Sequence, residues 1–436
     1  MDISAFSARR ARLMERMGRG IAVIPTAAEQ LRNRDTQHPY RADSYFHYLT
    51  GFGEPEAVLM LIAGDCPRSI LFCRDKDVDK EVWDGFRWGP GAAREAYGFD
   101  ETYSIKIFDE KLAELLADQP ALWFSLGQDP VWDARIAAAL NAVRAQVRAG
   151  KQAPEEIRDV RATLDNMRLI KDSTEIATMR RAADISAAAH RRAMRACRPG
   201  RYEYEIEAEL LHEFRQQGCQ APAYTSIVAS GVNACILHYV ANDQQLKEGD
   251  LLLIDAGGEL DNYASDITRT FPVNGRFTGP QADVYNLVLS AQSAAIAAIK
   301  PGASFFEPHE AALKVLVQGM LDLKLLKGTR DGLIESEGYK RFYMHRTGHW
   351  LGMDVHDAGS YKSGEVWRVL QPGMMLTVEP GCYIRAAADV PSAFHDIGVR
   401  IEDDALVTES GCDIISDAAP KTTAAIEALM AERLRD

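Results

Sequence analysis

Five side chains of metal-ligating type, Asp255, Asp266, His349, Glu379 and Glu402, lie in separate short motifs of this 436-residue chain. Any fold that uses them together must bring the chain back repeatedly to one place. Asp255 ends the apolar run LLLID, and Asp266 follows eleven residues later, ahead of the strand-like ITRTF. His349 sits in MHRTGHWLGMDVHD, Glu379 in MLTVEPG and Glu402 in GVRIEDD. The four carboxylates carry four negative charges when ionised, which two divalent cations would balance. Buried without a partner they would be costly, and metal coordination is a common way to keep such groups.

The strands around these residues have the alternation that convergence needs. Leu251, Leu253 and Asp255 share one face of LLLID, and Asp266, Thr268 and Thr270 share one face of SDITRTF. Gly257-Gly258 and Asp261-Asn262 favour turns between them, so the two strands can pair and set the aspartates side by side. By the same alternation Thr377 goes with Glu379, and Arg400 with Glu402. Carboxylates in contact repel unless a cation or a shared proton lies between them.

At 436 residues, two domains are expected. A charged stretch containing Pro154 leads up to the boundary, which is placed near 170, giving domains 1–170 and 171–436. The first reads as mixed α/β, with strands GIAVIP (20–25), AVLMLIAG (57–64) and SILFC (69–73) and helices around 109–117 and 131–149. An N-terminal surface helix is expected from near Ser7 to near Gly18. The second domain opens with a long helix capped by Ser173 and stopped by Pro199-Gly200, followed by a second helix and strand-like pieces. Helices over about 280–299 and 305–327, then strands RFYMHR, GMMLTVEPGCYI and GVRIEDDALVT, repeat that order. The expected fold class is an α/β N-terminal domain followed by an α+β, pseudo-symmetric domain that carries the pentad. One acidic pair falls in each half, which puts the site at their seam.

Composition narrows the function classes. A net charge of −13 argues against a nucleic-acid partner, because phosphate binding needs a basic face. The apolar runs are too short to span a bilayer, and the N-terminus does not read as a signal peptide, so no membrane partner is expected. Seven scattered cysteines with no CxxC pair suit reduced thiols in a cytoplasmic protein.

Oxygen-rich ligation with a single nitrogen suits manganese, cobalt or iron better than structural zinc, although zinc or cobalt can enter such a site. A two-metal centre lowers the pKa of a bridging water and polarises a carbonyl. Arg400, beside Glu402, is placed to offset the remaining negative charge or to fix that carboxylate. Singly, each residue has an ordinary explanation as a turn aspartate, a core histidine or a salt-bridged arginine. Their joint occurrence, in order, with GHWLG, VEPG and RIED does not.

These motifs resemble the creatinase and methionine-aminopeptidase family of metallopeptidases, which has the pita-bread fold. The likeness is closer to the bacterial aminopeptidase P branch and extends over nearly the whole chain. RNRDTQHPYRADSYFHYLTGFGEPEAVL (32–59) is similar to the N-terminal domain of that branch, as are HRTGHWLGMDVHD and LQPGMMLTVEPGCYI to its catalytic part. The resemblance implies two divalent ions per subunit, with Mn2+ the first expectation and Zn2+ or Co2+ as alternatives. It implies Asp255, Asp266, His349, Glu379 and Glu402 as ligands, with Asp266 and Glu402 bridging and Glu379 also the general base. His238 and His356 match histidines that line the site and move protons, His345 one near the proline, Arg400 a supporting arginine and Tyr383 a pocket residue. Trp83, in EVWDGFRWG, matches a tryptophan that reaches the active site of a neighbouring subunit, implying a homodimer or homotetramer.

The implied reaction is release of the N-terminal residue from peptides with proline in second place. The alternative is a prolidase restricted to Xaa-Pro dipeptides. Only 22 residues separate Glu379 from Glu402, with none of the long insertions of eukaryotic prolidases. Methionine aminopeptidases generally lack an N-terminal domain of this size, and the non-catalytic relatives lack the full ligand set.

Overall fold

The computed structural model describes residues 3–432. Its backbone divides between Arg168 and Leu169 into two compact units. The first is built on a six-stranded sheet in the order Glu101–Ser104, Arg68–Cys73, Val58–Ala63, Gly20–Pro25, Ala121–Trp123, Glu156–Arg158. Its three central strands run antiparallel and its outer pairs parallel. Val58–Ala63 is buried along its whole length, as the unbroken apolar run VLMLIA requires. The N-terminal helix runs Ile3–Met17, a turn earlier than Ser7, because Phe6 is needed on its buried face.

The second unit repeats a helix pair and a small sheet. Helices Ser173–Ala196 and Glu203–Gln216 precede the antiparallel strands Ile227–Ser230, Leu251–Asp255 and Thr268–Pro272. Helices Gly279–Ala298 and Glu307–Asp322 precede Met375–Val378, Asp403–Val407 and Cys412–Ile414. The strands Gly381–Ile384 and Ile397–Arg400 form a further hairpin. The first long helix is capped by Asp172 rather than Ser173. The Asp172 carboxylate accepts the N–H groups of Thr174 (2.9 Å) and Glu175 (3.0 Å), and Glu175 returns a bond to the Asp172 N–H. That reciprocal arrangement satisfies more donors than a serine cap can.

The two sheets meet through a bridge between Thr268 and Glu402, whose N–H donates to the Thr268 carbonyl at 3.0 Å. Arg269 fixes that seam. Its buried guanidinium donates to the Glu402 carbonyl (2.6 Å) and pairs with Asp403 (2.7 Å). The segment RFYMHR is not a strand. A 3-10 turn at Gly338–Arg341 continues past its end, with the N–H groups of Phe342 and Tyr343 both on the Tyr339 carbonyl.

Candidate metal centre

Each acid of the pentad sits at the end of a strand or just beyond it. Asp255 is the last residue of Leu251–Asp255, and its register partner Thr268 opens the neighbouring strand, leaving Asp266 in the turn that leads in. Glu379 follows Met375–Val378, and Glu402 lies between Ile397–Arg400 and Asp403–Val407. Strand ends free these carboxylates from the in–out alternation while the paired backbone still fixes their positions. His349 is held by a short cross-connection in which Thr377 N–H donates to the His349 carbonyl (2.9 Å) and Glu379 N–H to the Thr347 carbonyl (2.8 Å). Gly348 lies so close that a Cβ there would stand 2.1 Å from the Thr377 carbonyl oxygen. The paired carbonyl cannot move aside for a Cβ, so the residue before the histidine must be glycine.

All five side chains line one cavity of about 460 Å3, together with His238, His345, His356, Arg400 and Tyr224. Asp266, His349 and Glu402 each present a donor atom within 4.8 Å of the others, the spacing of groups around one ion. His349 Nε2 stands 3.4 Å from Asp266 and 3.8 Å from Glu379. Its Nδ1 is 2.9 Å from the Trp350 carbonyl, a contact that fixes the tautomer and leaves Nε2 facing the acids. The set therefore fits divalent cations in donor type, in charge and in enclosure.

Electrostatics point the same way. Burial, with like charges around it, drives Glu402 well above the carboxylate range and Glu379 up to about 7. Asp255 is raised by burial against the pull of Arg400, whereas hydrogen bonding and charge from His349 outweigh burial and lower Asp266. Burial disfavours the His349 cation too, yet Asp266 and Glu379 more than reverse this and lift it to about 9. Crowded acids that cannot all ionise are what cations would relieve.

Arg400 does not bond Glu402 directly. Its Nη2 pairs with Asp255 at 2.5 Å, and its Nε donates to Thr268 Oγ1 at 3.1 Å. The Thr268 hydroxyl in turn donates to Glu402 Oε2 at 2.6 Å, so the arginine reaches that acid through a threonine. Arg400 Nη1 also donates to the Tyr383 hydroxyl (3.2 Å), which stands 2.8 Å from His345 Nε2. Burial holds His345 down to about 3, so its ring is neutral. Since its Nδ1 faces the Arg346 carbonyl at 2.7 Å, that nitrogen carries the proton and Nε2 accepts from Tyr383. Tyr383 therefore supports the wall from behind rather than lining the cavity. His356 packs edge-on against His349, ring centres 4.3 Å apart, and burial lowers its pKa. His238 stands exposed at the cavity mouth.

Residues 177–409 match the model of metallopeptidase family M24, and residues 6–123 that of the aminopeptidase P N-terminal domain. The chain belongs to metallopeptidase family M24. It is 43% identical to the Xaa-Pro aminopeptidase of Escherichia coli K12 over 98% of its own length and 97% of the relative's. The Haemophilus influenzae Xaa-Pro aminopeptidase is 45% identical over 98% and 96%. Among solved structures, Pseudomonas aeruginosa aminopeptidase PepP superposes with a TM-score of 0.97 at 50% identity, covering 99% of this chain and 98% of that one. Zinc-substituted E. coli aminopeptidase P in complex with product gives 0.97 at 43%, covering 100% of both chains. The M24 fold seen in those enzymes, the pita-bread fold behind an aminopeptidase P N-terminal domain, is the fold of this chain.

Two functional positions carry no sequence signal of their own. The Tyr224 hydroxyl lies 2.6 Å from Asp255 and also bonds Asp266, yet a lone tyrosine in APAYTS marks nothing. Thr268 relays Arg400 to Glu402, although on a strand it reads as an ordinary β-former. Trp83 belongs to the N-terminal unit, on helix Val78–Asp84, and is 87% exposed.

Proposed function

We propose that this protein is a dinuclear metal-dependent Xaa-Pro aminopeptidase that releases the N-terminal residue from peptides with proline in second place. One observation carries the reading. Five ligand-type residues line one cavity in a chain 43% identical, over 98% of its length, to an Xaa-Pro aminopeptidase. Asp255, Asp266, His349, Glu379 and Glu402 would hold two divalent cations, Mn2+ foremost given the oxygen-rich donors, with Zn2+ or Co2+ able to replace it. When bound, the cations supply Lewis acidity and an activated water.

The chain's own groups do the rest. Glu379, in the wall of the cavity among the other ligand-type residues, is placed to take a proton from the attacking water and pass it on. The bond before proline is a tertiary amide whose nitrogen leaves only once protonated, and Glu379, His356 or His238 can bring that proton. The neutral His345 ring, backed by Tyr383, offers an uncharged wall to the pyrrolidine ring. Arg400 holds Asp255 and, through Thr268, Glu402 in place while protons move nearby.

The helix carrying Trp83 has no buried residue, and Val78, Val82 and Phe86 are exposed around it. An apolar patch of this kind suits burial against a second copy, supporting a homodimer or homotetramer in which Trp83 reaches a neighbour's site. No helix among the described residues is long and apolar enough to cross a membrane. All seven cysteines are free, which suits a reducing, cytoplasmic setting.

A dipeptidase reading is not favoured, since the similar enzymes over the whole chain are aminopeptidases. The test compares Gly-Pro with a Gly-Pro-Pro tripeptide. The tripeptide should be cleaved with the higher kcat/KM, and confinement to the dipeptide would overturn the reading.

A further inference from the structure

A second cavity, of about 450 Å3, lies beside the metal centre. Leu237 lines both, and Met344 and Tyr383 of the second cavity adjoin or back His345 of the first. Its surface is largely apolar, with Ile236 and Met344 each 43% exposed and Phe342 behind them. A peptide whose proline rests against His345 can continue across Leu237 into this space.

Two arginines border the cavity, and they differ. Arg341 is committed to a two-pronged pair with Asp389, at 2.5 and 2.7 Å. Arg385 donates to the Cys235 carbonyl at 3.0 Å and pairs with no carboxylate among the described residues. It is exposed, so its charge is available. The chain as a whole carries −13, a field that disfavours anionic peptides unless a local cation receives them.

We propose that this cavity receives the residues that follow proline, and that Arg385 binds a carboxylate there, selecting peptides with a negative charge downstream of the cleaved bond. This rests on the Xaa-Pro peptidase reading. The carboxylate can be the peptide's own C-terminus or an acidic side chain, and the shared chemistry is a single anionic group at the end of an otherwise apolar path.

The test measures kcat/KM for the holoenzyme on Ala-Pro-Ala-Ala as free acid and as amide, and on Ala-Pro-Ala-Asp and Ala-Pro-Ala-Lys as amides, each normalised to Ala-Pro-amide. The wild type should prefer each anionic peptide by about two- to fivefold, the range of exposed charge pairs. The free-acid arm and the Asp arm separate the two sources of the carboxylate. Arg385→Glu should reverse the Asp-to-Lys preference, and high salt should shrink it. An Asp-to-Lys ratio unchanged by Arg385→Glu would overturn the proposal. Failure to cleave even Ala-Pro-amide would overturn the peptidase reading itself, and this inference with it.

Discussion

The Tyr224 hydroxyl carries one proton and faces two carboxylates, so it donates to one and accepts from the other only if a second proton is present. Burial beside Asp255 and Asp266 holds the phenol far above its ordinary range, which keeps it neutral. It thus spaces the two aspartates without adding charge. Tyr224→Phe should leave the fold intact by circular dichroism and weaken metal binding about 10- to 100-fold, the usual loss when a residue orienting a ligand is removed. Chelator competition measures this, and an unchanged affinity would contradict the role given to the hydroxyl. The pentad was legible in the sequence because each member sits in a short motif with its own logic, such as the glycine that clears Thr377 for His349. Tyr224 and Thr268 were not, because their importance lies only in what approaches them in space. Arg400 was half legible. Alternation placed it beside Glu402, but the strand ends at Arg400 and its guanidinium turns to Asp255.

The core strands Gly20–Pro25 and Leu251–Asp255 were readable as unbroken apolar runs because both of their faces are buried, and the long helices by their period. Segments whose course depends on distant partners were not. RFYMHR has the composition of a strand, yet helical turns capture its first N–H groups. Strand Glu156–Arg158 is wholly exposed and shows no pattern, being held by its parallel neighbour Ala121–Trp123 and by the Phe124 N–H that follows it. The helix Val78–Asp84 raises the opposite question, since it buries nothing and still carries Val78, Val82 and Trp83. Its stability is better explained if a second copy covers it. Trp83→Glu should therefore yield a smaller assembly by light scattering and a lower kcat/KM on long peptides. Wild-type mass and kinetics would remove the argument for that contact.

Across the whole molecule, stability and metal content are linked through pH. Burial depresses His190 and His309 to about 4 and His345 to about 3, against an ordinary value of 6.5. Their contribution is fully present above 6.5 and is lost as pH falls toward those values, because the unfolded chain then binds protons the folded one refuses. His349 runs the other way. Raised to about 9, it contributes stability below 6.5 that is lost as pH rises through 9. In the metal-stripped protein Tm should therefore fall toward pH 9, where the raised Glu379 and Glu402 add to the loss from His349, and the buried histidines should lower it as pH drops below 6.5. Saturating Mn2+ should raise Tm and remove the alkaline decline, because coordination keeps His349 and the acids deprotonated. Calorimetry from about pH 4 to 9 would record this, and a flat profile for the stripped protein would contradict the burial argument. The central claim is that the five-residue cavity is a two-metal centre for cleavage before proline. Titrating stripped protein with Mn2+, while following release of alanine from Ala-Pro-Ala and from Ala-Ala-Ala, tests it most directly. Activity should appear only with metal, saturate near two ions per chain and be confined to the proline peptide. Cleavage without metal, or equal cleavage of both peptides, would contradict the account.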